Sequence, residues 1–511
     1  MRTKRADWLC EAMFVAALPG LTFAATGQPA NKPVADLVAR TSAGMVAGIC
    51  VSDDTLQAAK TAGPASDRAS ASNAIIAFKG IPYAAPPIGP LRWRAPQPPV
   101  PWSAIRNASQ FGNDCMQPPS VNPTGQKTSE DCLTVNVWTA GGYPRARRPV
   151  MVFIYGGAFV GGSAAYPLYD GAILAREGVV VVDFNYRGGI FGFLAHPGLT
   201  AESPQHVSGN YGLLDQIAAL QWVKTNIAAF GGDPERVTVF GQSAGAVSIA
   251  ELMTSPLAKG LFQRAILESP TLPSLASLDA AERSGAAVAT DLATLRRMSS
   301  AELLAHNGEF FPRTPEQIAS GLAFPSPIAD GYVLTKQPRD AFERGPFNRV
   351  PMIIGFNADE GRIFTGPGVT PAAATALGDA AFVESARWIA RTASQREPRT
   401  FAYVFTRSIH GGPLPPTHSE ELPFVFGTLE QPSFINHPAP DAEDLQLSAI
   451  MRRTWARFAD TGVPNGAGLP SWPRYRRETD PYLEFGNEIR AGSAFHKTRV
   501  DAVEGAGTNA N

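Results

Sequence analysis

Short apolar runs alternate with segments of helical spacing between about residue 130 and residue 270. The runs are rich in Val, Ile and Phe and end at glycine or polar residues, as strands do. In the interval 210–230, leucine and isoleucine recur at the spacing of a helix. The alternation predicts an α/β fold with a mainly parallel central sheet covered by helices. The predicted strands occupy residues 133–138, 149–155, 178–184, 237–240 and, as a further candidate, 261–267.

The second half of the chain departs from strict alternation. Residues 275–325 are rich in Ala, Ser and Leu and have few strand signals, which predicts a helical insertion over the sheet. Strand character returns at 351–355 and at 401–405, and residues 445–458 have the pattern of a helix.

The N-terminal residues have the pattern of an export signal. Three basic residues among the first five precede an apolar stretch from Trp8 to Phe23, which only Glu11 interrupts with a charge. Small residues around Ala24 suit a cleavage site. The sequence therefore predicts a signal peptide over residues 1–24 and a mature protein that is secreted or periplasmic.

Composition excludes several classes of partner. The net charge of −1 gives no electrostatic basis for binding nucleic acid or an anionic membrane. Outside the signal, no segment is apolar for long enough to span a bilayer, so we expect no stable membrane insertion of the mature chain. No linker or repeat divides the 511 residues. We expect a single domain over residues 25–500 and a disordered, polar tail over residues 501–511.

A glycine-flanked serine follows the predicted strand 237–240. The pentapeptide is Gly241-Gln242-Ser243-Ala244-Gly245, and a helix-compatible stretch follows it at 246–253. Strand, glycine-flanked serine and helix together form the context of a nucleophile elbow, in which glycines permit a sharp turn. Ser243 is therefore the candidate nucleophile.

A serine nucleophile needs a base and an orienting acid. In this type of sheet they follow the serine in the order acid, then histidine. For the acid, Glu360 stands out because it follows the strand-like run 351–355, with Asp359 and Asp330 as rivals. For the base, the order excludes His196, His206 and His306. Spacing alone leaves the choice open among His410, His418, His437 and His496.

An oxyanion hole requires backbone N–H groups that can approach the substrate closely. The segment Tyr155–Phe159 contains two glycines, follows a buried strand and precedes the serine. Two donors are expected there, and a third from Ala244 at the start of a helix. A phosphate-binding reading of Gly156–Gly162 fails because no Lys-Ser/Thr pair follows. No metal-ligand spacing is present, so we expect neither a metal nor a cofactor.

Three segments carry a resemblance to a known family. Residues 78–93 contain Phe-Lys-Gly-Ile-Pro-Tyr-Ala, Pro-Pro and Leu-Arg-Trp, and residues 129–133 are Ser-Glu-Asp-Cys-Leu. Residues 230–245 run from Phe-Gly-Gly-Asp-Pro to the serine pentapeptide. On these segments the chain resembles the type-B carboxylesterase family, which includes bacterial esterases, liver carboxylesterases and cholinesterases. The resemblance covers nearly all of the mature chain and implies an α/β-hydrolase fold.

The resemblance also implies roles for individual residues. It identifies Ser243 as the nucleophile, Glu360 as the acid in preference to Asp359, and His418 as the base in preference to His410. It assigns the oxyanion donors to the backbone of Gly157, Ala158 and Ala244. Ser269 falls on a serine that supports the triad.

The cysteines are consistent with export. Cys50, Cys115 and Cys132 remain after the signal, and an odd number leaves one unpaired. The resemblance places Cys115 and Cys132 at the family's first disulfide, and Cys50 is then a buried or free thiol.

The expected activity is that of a serine carboxylesterase, which hydrolyses small-molecule carboxylic esters through an acyl-enzyme. Three departures from the cholinesterases favour neutral esters. The loop between Cys115 and Cys132 contains no Phe, Tyr or Trp, residue 242 is Gln rather than an acid, and the stretch from Glu360 to His418 is short. The short stretch also predicts that part of the helical cover over the site is missing. The alternatives are a non-catalytic adhesion or binding homologue of the same fold and an amide or lactone hydrolase.

Overall fold

The computed structural model describes residues 37–51, 74–122, 124–141, 145–310, 326–365, 368–432, 438–498 and 500–501. The predicted signal peptide lies outside these ranges, as does the predicted tail from residue 502 onwards. Sixteen strands are found within them. These strands are β1 Val38–Arg40, β2 Met45–Ala47, β3 Ile49–Val51, β4 Ile75–Pro82, β5 Arg106–Asn107, β6 Asp114–Cys115, β7 Thr128–Ser129, β8 Thr134–Ala140, β9 Arg148–Ile154, β10 Val180–Phe184, β11 Gly232–Gln242, β12 Arg264–Glu268, β13 Met352–Asn357, β14 Thr400–Phe405, β15 Pro481–Phe485 and β16 Ile489–Ser493.

One sheet contains eleven of these strands, in the order β16-β15-β14-β13-β12-β11-β9-β10-β8-β4-β3. In this order, the strands from β15 to β10 are all parallel to one another. Antiparallel pairs form only at the two flanks of the sheet. The mainly parallel sheet is thus confirmed. Parallel strands bring their carboxyl ends to one edge, which is where ligands bind in open α/β sheets.

Helices follow most strands of the parallel part. Within the described ranges they are α1 Ala172–Ala175, α2 Gly189–Phe193, α3 Pro197–Glu202, α4 Tyr211–Asn226, α5 Ala244–Thr254, α6 Leu278–Val288, α7 Leu292–Arg297, α8 Ser300–Ala305, α9 Pro338–Arg344, α10 Pro371–Gly378, α11 Glu384–Ala393, α12 Leu422–Phe426 and α13 Ala442–Thr461. A π-helical turn, Asp379–Val383, joins α10 to α11. Helices α5 and α13 both contact the central strands β9 and β11.

Every strand predicted after residue 130 is present, with shifted ends. The largest correction concerns 261–267, where the strand β12 begins only at Arg264. A 3-10 turn over Pro256–Ala258 and a left-handed Gly260 precede it, so the chain is still turning at Leu261. The apolar residues there therefore pack at the end of a loop and do not belong to a strand.

The predicted helical insertion is present as α6, α7 and α8. Each of these helices begins at a polar side chain that accepts a backbone N–H of its first turn. The three caps are Ser277, Asp291 and Ser299. Such caps contribute about 1 kcal/mol each and set where a short helix starts. Residues 311–325 of the predicted insertion lie outside the described part of the chain.

A buried aromatic cluster fixes the centre of the sheet. The ring of Phe153 on β9 lies 4.9 Å from that of Phe240 on β11 and 4.9 Å from that of Phe426 on α12. Tyr169 completes the cluster at 4.8 Å from Phe153. Pairs of this kind contribute about 0.5–1.5 kcal/mol beyond area burial. They hold α12 against the strands that lead to the predicted elbow and oxyanion loop.

A disulfide joins Cys115 and Cys132, whose Cα atoms lie 5.0 Å apart, and Cys50 is a free, exposed thiol. This is the pairing that the family resemblance implied. Among the described residues, no helix is both long and apolar enough to cross a membrane.

Candidate active site

Ser243 lies at the turn from β11 into α5. Its backbone has φ 57° and ψ −126°, a conformation that costs free energy for a residue with a side chain. The Ser243 N–H donates to the Glu268 carbonyl at 2.9 Å, which holds the turn against β12. A Cβ on Gly245 would lie 1.9 Å from the Ile154 carbonyl oxygen, so only glycine fits where the helix meets β9. This is the geometry of a nucleophile elbow.

Two neighbouring strands bring Glu360 and His418 together. The strand β13 leads to Glu360, and the parallel strand β14 leads to the loop that carries His418. The Asp359 N–H donates to the Pro416 carbonyl at 3.0 Å, and Asp359 pairs with Thr417 as a parallel bridge. The two loops are therefore joined through their backbones at the residues that precede Glu360 and His418.

The carboxylate of Glu360 orients the imidazole of His418. Its Oε2 lies 2.5 Å from His418 Nδ1. Its Oε1 accepts the Ser269 hydroxyl at 2.5 Å and the Asn357 N–H at 2.6 Å. Because a carboxylate only accepts, Nδ1 carries the proton and Nε2 of the neutral ring keeps its lone pair. This is the tautomer that a general base requires.

The Nε2 atom of His418 contacts a glutamine. The side-chain Nε2 of Gln242, the residue before the candidate nucleophile, lies 3.0 Å from it. Within the described ranges, no hydrogen bond of the Ser243 hydroxyl is found. The structure thus brings Glu360 and His418 into contact with each other, and places Ser243 beside them without a direct bond to the imidazole.

The glycine segment packs against the elbow. A Cβ on Gly156 would lie 2.9 Å from the Ser243 Cβ atom. The next residues form a tight turn, with φ 113° at Gly157 and φ 55° at Ala158. In the described part of the chain, no protein acceptor is found for the N–H groups of Gly157, Ala158 and Ala244. Backbone donors without partners beside a serine are suited to binding a developing oxyanion.

The rival acids have other partners. Asp359 binds the Arg362 guanidinium at 2.9 Å, and Asp330 accepts three backbone N–H groups within its own turn, from residues 332–334.

The two rival histidines that the structure describes have partners other than Glu360. His410 is exposed, and its backbone N–H donates to Asp444. The Nδ1 atom of His496 lies 2.7 Å from Asp379. His437 lies outside the described residues.

The segment between Glu360 and His418 supplies cover despite its length. It contains α10, the π-helical turn and α11, so helical cover is present at this position, and the expected loss of part of the family's cover stays a prediction. Two of its aromatic rings lie against His418, with ring centroids at 5.0 Å for Phe364 and 4.6 Å for Phe382. Both phenylalanines are 4 % exposed, so they shield the imidazole from water.

Three further carboxyls are buried close to Glu360. Trp455 Nε1 donates to Glu268 at 2.9 Å, and the Asn357 side chain donates to Glu421. Burial raises the pKa of both carboxyls, and the charges of Glu268 and Glu360 raise the pKa of Glu421 further. Burial also raises the pKa of Glu420 to about 7. Burial thus favours the neutral forms of these three carboxyls, whereas three hydrogen bonds converge on the carboxylate of Glu360.

Sequence reasoning missed four contributors to this site. No role was assigned to Glu268, Glu421, Phe364 or Phe382, because their contacts at the site are with residues distant from them in the chain. Gln242 was visible in the pentapeptide, but its contact with His418 was not. In the described ranges, no group of three or more His, Cys, Asp or Glu side chains is arranged to hold a metal ion.

A parallel sheet with an elbow serine and a histidine–carboxylate pair at its carboxyl edge defines the α/β-hydrolase class. A solved PNB esterase structure superposes with a TM-score of 0.78 at 32 % identity, covering 91 % of this chain and 99 % of that one. A thermophilic PNB esterase gives a TM-score of 0.76 with the same identity and coverage. The sequence profile of the carboxylesterase family matches residues 56–370 and 365–503. The chain belongs to the carboxylesterase family and is a carboxylic ester hydrolase.

Several relatives share most of their length with this chain. The fumonisin B1 esterase of Sphingopyxis macrogoltabida is 40 % identical over 457 residues, which covers 81 % of this chain and 84 % of that protein. The para-nitrobenzyl esterase of Bacillus subtilis (strain 168) is 37 % identical, with coverage of 83 % and 93 %. The liver carboxylesterase of Sus scrofa is 33 % identical, with coverage of 95 % and 94 %.

Proposed function

We propose that the protein is a serine carboxylesterase with Ser243 as nucleophile, His418 as general base and Glu360 as orienting acid. The observation that carries the proposal is the 2.5 Å contact between Glu360 and His418 Nδ1, beside a serine in the strained backbone of an elbow. The remaining oxygen of Glu360 is fully engaged by Ser269 and Asn357. The carboxylate is therefore held in one position, which in turn holds the ring.

Acylation begins with Ser243. Its Oγ attacks the ester carbonyl carbon while the hydroxyl proton passes to His418 Nε2. The carbonyl oxygen becomes an oxyanion and accepts hydrogen bonds from the N–H groups of Gly157, Ala158 and Ala244. Losing one such donor costs about 3 kcal/mol of transition-state stabilisation in serine hydrolases. The imidazolium then gives its proton to the leaving alcohol as the ester C–O bond breaks.

Deacylation repeats these roles with water. His418 takes a proton from the water, whose oxygen attacks the acyl carbon. The carboxylic acid leaves as the proton returns from the imidazolium to Ser243 Oγ. Glu360 remains ionised throughout and stabilises the imidazolium each time that it forms.

An aryl phosphonate and the Ser243→Ala variant test this assignment. The phosphonate should label Ser243 alone, as peptide mass mapping reads out. Ser243→Ala should fold normally and lose hydrolysis of a neutral aryl ester by several orders of magnitude. Ser255→Ala, which removes a hydroxyl beyond the far end of α5, is the matched control and should remain active. A wild-type protein that is neither labelled nor active would instead be a non-catalytic homologue.

We also propose a preference for neutral esters over cationic ones. The support is a disulfide loop without aromatic residues and an amide at position 242, since a quaternary ammonium group binds to aromatic faces and carboxylates. The measurement compares kcat/KM for a choline ester with that for its neutral isostere, the 3,3-dimethylbutyl ester. A choline preference above about tenfold, or ~1.4 kcal/mol, would reveal a cation site. If a matched amide or lactone were hydrolysed with a higher kcat/KM than the ester, the enzyme would be assigned to that class of bond instead.

We propose that the protein is exported to an oxidising compartment, as a secreted or periplasmic protein, because of the Cys115–Cys132 disulfide and the N-terminal pattern. N-terminal sequencing of the exported protein tests the cleavage site near Ala24.

We also propose that the mature chain is one domain over residues 25–500, since a single sheet uses strands from Ile49–Val51 to Ile489–Ser493.

A further inference from the structure

Gln242 directly precedes the candidate nucleophile in the chain and contacts the candidate base. Its side chain is 2 % exposed, and its Nε2 atom lies 3.0 Å from His418 Nε2. The two residues are 176 positions apart in the chain, so the contact is produced by the fold. The position that Ser243 Oγ–H must reach to transfer its proton is thus held by an amide.

The chemistry of this contact depends on the protonation of the ring. The Nδ1 proton is committed to Glu360, so Nε2 of the neutral ring is an acceptor and the Gln242 NH₂ donates to it. An imidazolium would place a second N–H against that NH₂, and two donors repel. The contact therefore selects the neutral ring, which is the form that can act as a base.

We propose that Gln242 is a positioning residue that holds His418 neutral and oriented before substrate arrives. The inference rests on the proposed triad. When substrate binds, the amide N–H leaves Nε2 and the Ser243 Oγ–H takes its place, after which the proton moves from Oγ to Nε2. No group beyond Gln242, Ser243 and His418 takes part in the exchange.

Other titratable and charged groups lie on the elements around the imidazole, and they are common to every variant below. Glu360 binds it directly, and the remaining groups belong to the elements packed around it. These are Glu268 on β12, Asp359 and Arg362 in the loop after β13, Asp379 on the π-helical turn, Glu420 and Glu421 before α12, and His496 near the C-terminus. A change confined to residue 242 leaves all of them in place, so a difference in pH dependence reports on that residue.

The test is the pH dependence of kcat/KM for a neutral aryl ester, measured for the wild type, Gln242→Glu, Gln242→Met and Gln263→Glu. A carboxylate beside Nε2 favours the imidazolium, so Gln242→Glu should move the midpoint of the acid limb upward by about one pH unit or more. Gln242→Met removes the donor without adding a charge, and its midpoint should lie between the two. Gln263→Glu makes the same substitution beside Val237, five residues before Gln242 on β11, and should leave the profile unchanged.

The outcomes separate the two proposals. The role of Gln242 is overturned, while the triad stands, by either of two results. One is that the acid limbs of the wild type and both Gln242 variants coincide, and the other is that the midpoint of Gln242→Glu shifts to lower pH. A wild-type protein without activity and without phosphonate labelling at Ser243 overturns the triad itself. Thermal unfolding of each variant checks folding. If Gln242→Glu does not fold, the comparison of Gln242→Met with the wild type decides.

Discussion

The ring of Phe382 lies 4.6 Å from the imidazole of His418, centroid to centroid. Phe364 lies 5.0 Å from the same imidazole and stacks on Phe382 at 5.3 Å with an interplanar angle of 19°. Phe382 belongs to the π-helical turn Asp379–Val383, and such turns occur frequently at functional sites. The aromatic pair packs on the imidazole, so we expect it to contribute to catalysis through the position of the ring.

Replacing Phe382 with a smaller side chain should lower kcat by more than the loss of folding stability explains. Phe382→Leu loosens the packing on His418 and should lower kcat by about tenfold, since small misplacements of catalytic groups are costly. The control is Phe347→Leu, a buried ring whose contacts are with Phe342 and Arg396. Urea unfolding should show similar losses of stability for the two variants. An equal fall in kcat in both would mean that Phe382 acts only through folding.

Glu360 should be indispensable, while its neighbour Asp359 should not. In Glu360→Gln the side chain can donate to Nδ1, which moves the ring proton to Nε2 and removes the base, so kcat should fall by about 10³–10⁴. Asp359→Asn, whose side chain contacts Arg362, should stay within a few fold of the wild type. Steady-state kinetics on one neutral aryl ester measure both. Retention of more than a tenth of the activity by Glu360→Gln contradicts the assignment.

Glu420 should make the protein less stable as the pH rises. Burial raises its pKa from 4.5 to about 7 in the folded state, although the Thr417 N–H donates to the carboxylate. The folded protein therefore binds the proton more tightly, and the stabilisation is full below about pH 4.5 and is lost as the pH rises through about 7. The difference corresponds to about 3 kcal/mol at most.

Glu420→Gln removes this titration. The free energy of unfolding, measured in urea at about pH 5 and about pH 8, should differ less between the two pH values in Glu420→Gln than in the wild type. Glu478→Gln changes an exposed carboxylate and should reproduce the wild-type difference. A pH dependence that is the same in all three proteins refutes the buried titration.

The disulfide should stabilise the fold by about 3 kcal/mol, because it closes a loop between residues separated by 17 positions. The double variant Cys115→Ser/Cys132→Ser should unfold at a lower urea concentration, and its free energy of unfolding should be lower than that of the wild type by this amount. Cys50→Ser, which changes the exposed free thiol, should match the wild type. If the double variant also matched it, the bond would have no part in stability.

Local sequence was sufficient for the elbow and for the class of fold. The turn at Ser243 depends on its immediate neighbours, because Gly245 must pass within contact of Ile154 and no larger residue fits. The parallel sheet followed from alternating apolar runs. The ends of the strands were less certain, as the late start of β12 at Arg264 shows, because turn residues before a strand can be apolar too.

Candidate catalytic residues could be proposed from the sequence, but the sequence did not show which of them contact one another. Chain order left His410, His418, His437 and His496 open, and only the family resemblance favoured His418. In the structure Glu360 contacts His418, because β13 and β14 are hydrogen-bonded neighbours whose loops then meet at Asp359 and Thr417. The contact between Gln242, at the end of β11, and His418 likewise depends on the order of strands in the sheet.

The amino-acid sequence by itself determined the strand–serine–helix turn, the sheet class and the short set of candidate acids and bases, because these depend on neighbours along the chain. Tertiary structure alone decided which acid faces which histidine, that Gln242 rather than Ser243 contacts Nε2 in the free protein, and that Glu268 and Glu421 are buried beside Glu360. Hydrogen-bond partners and desolvation are set by distances in space, and residues far apart in the chain acquire them only when the sheet has formed.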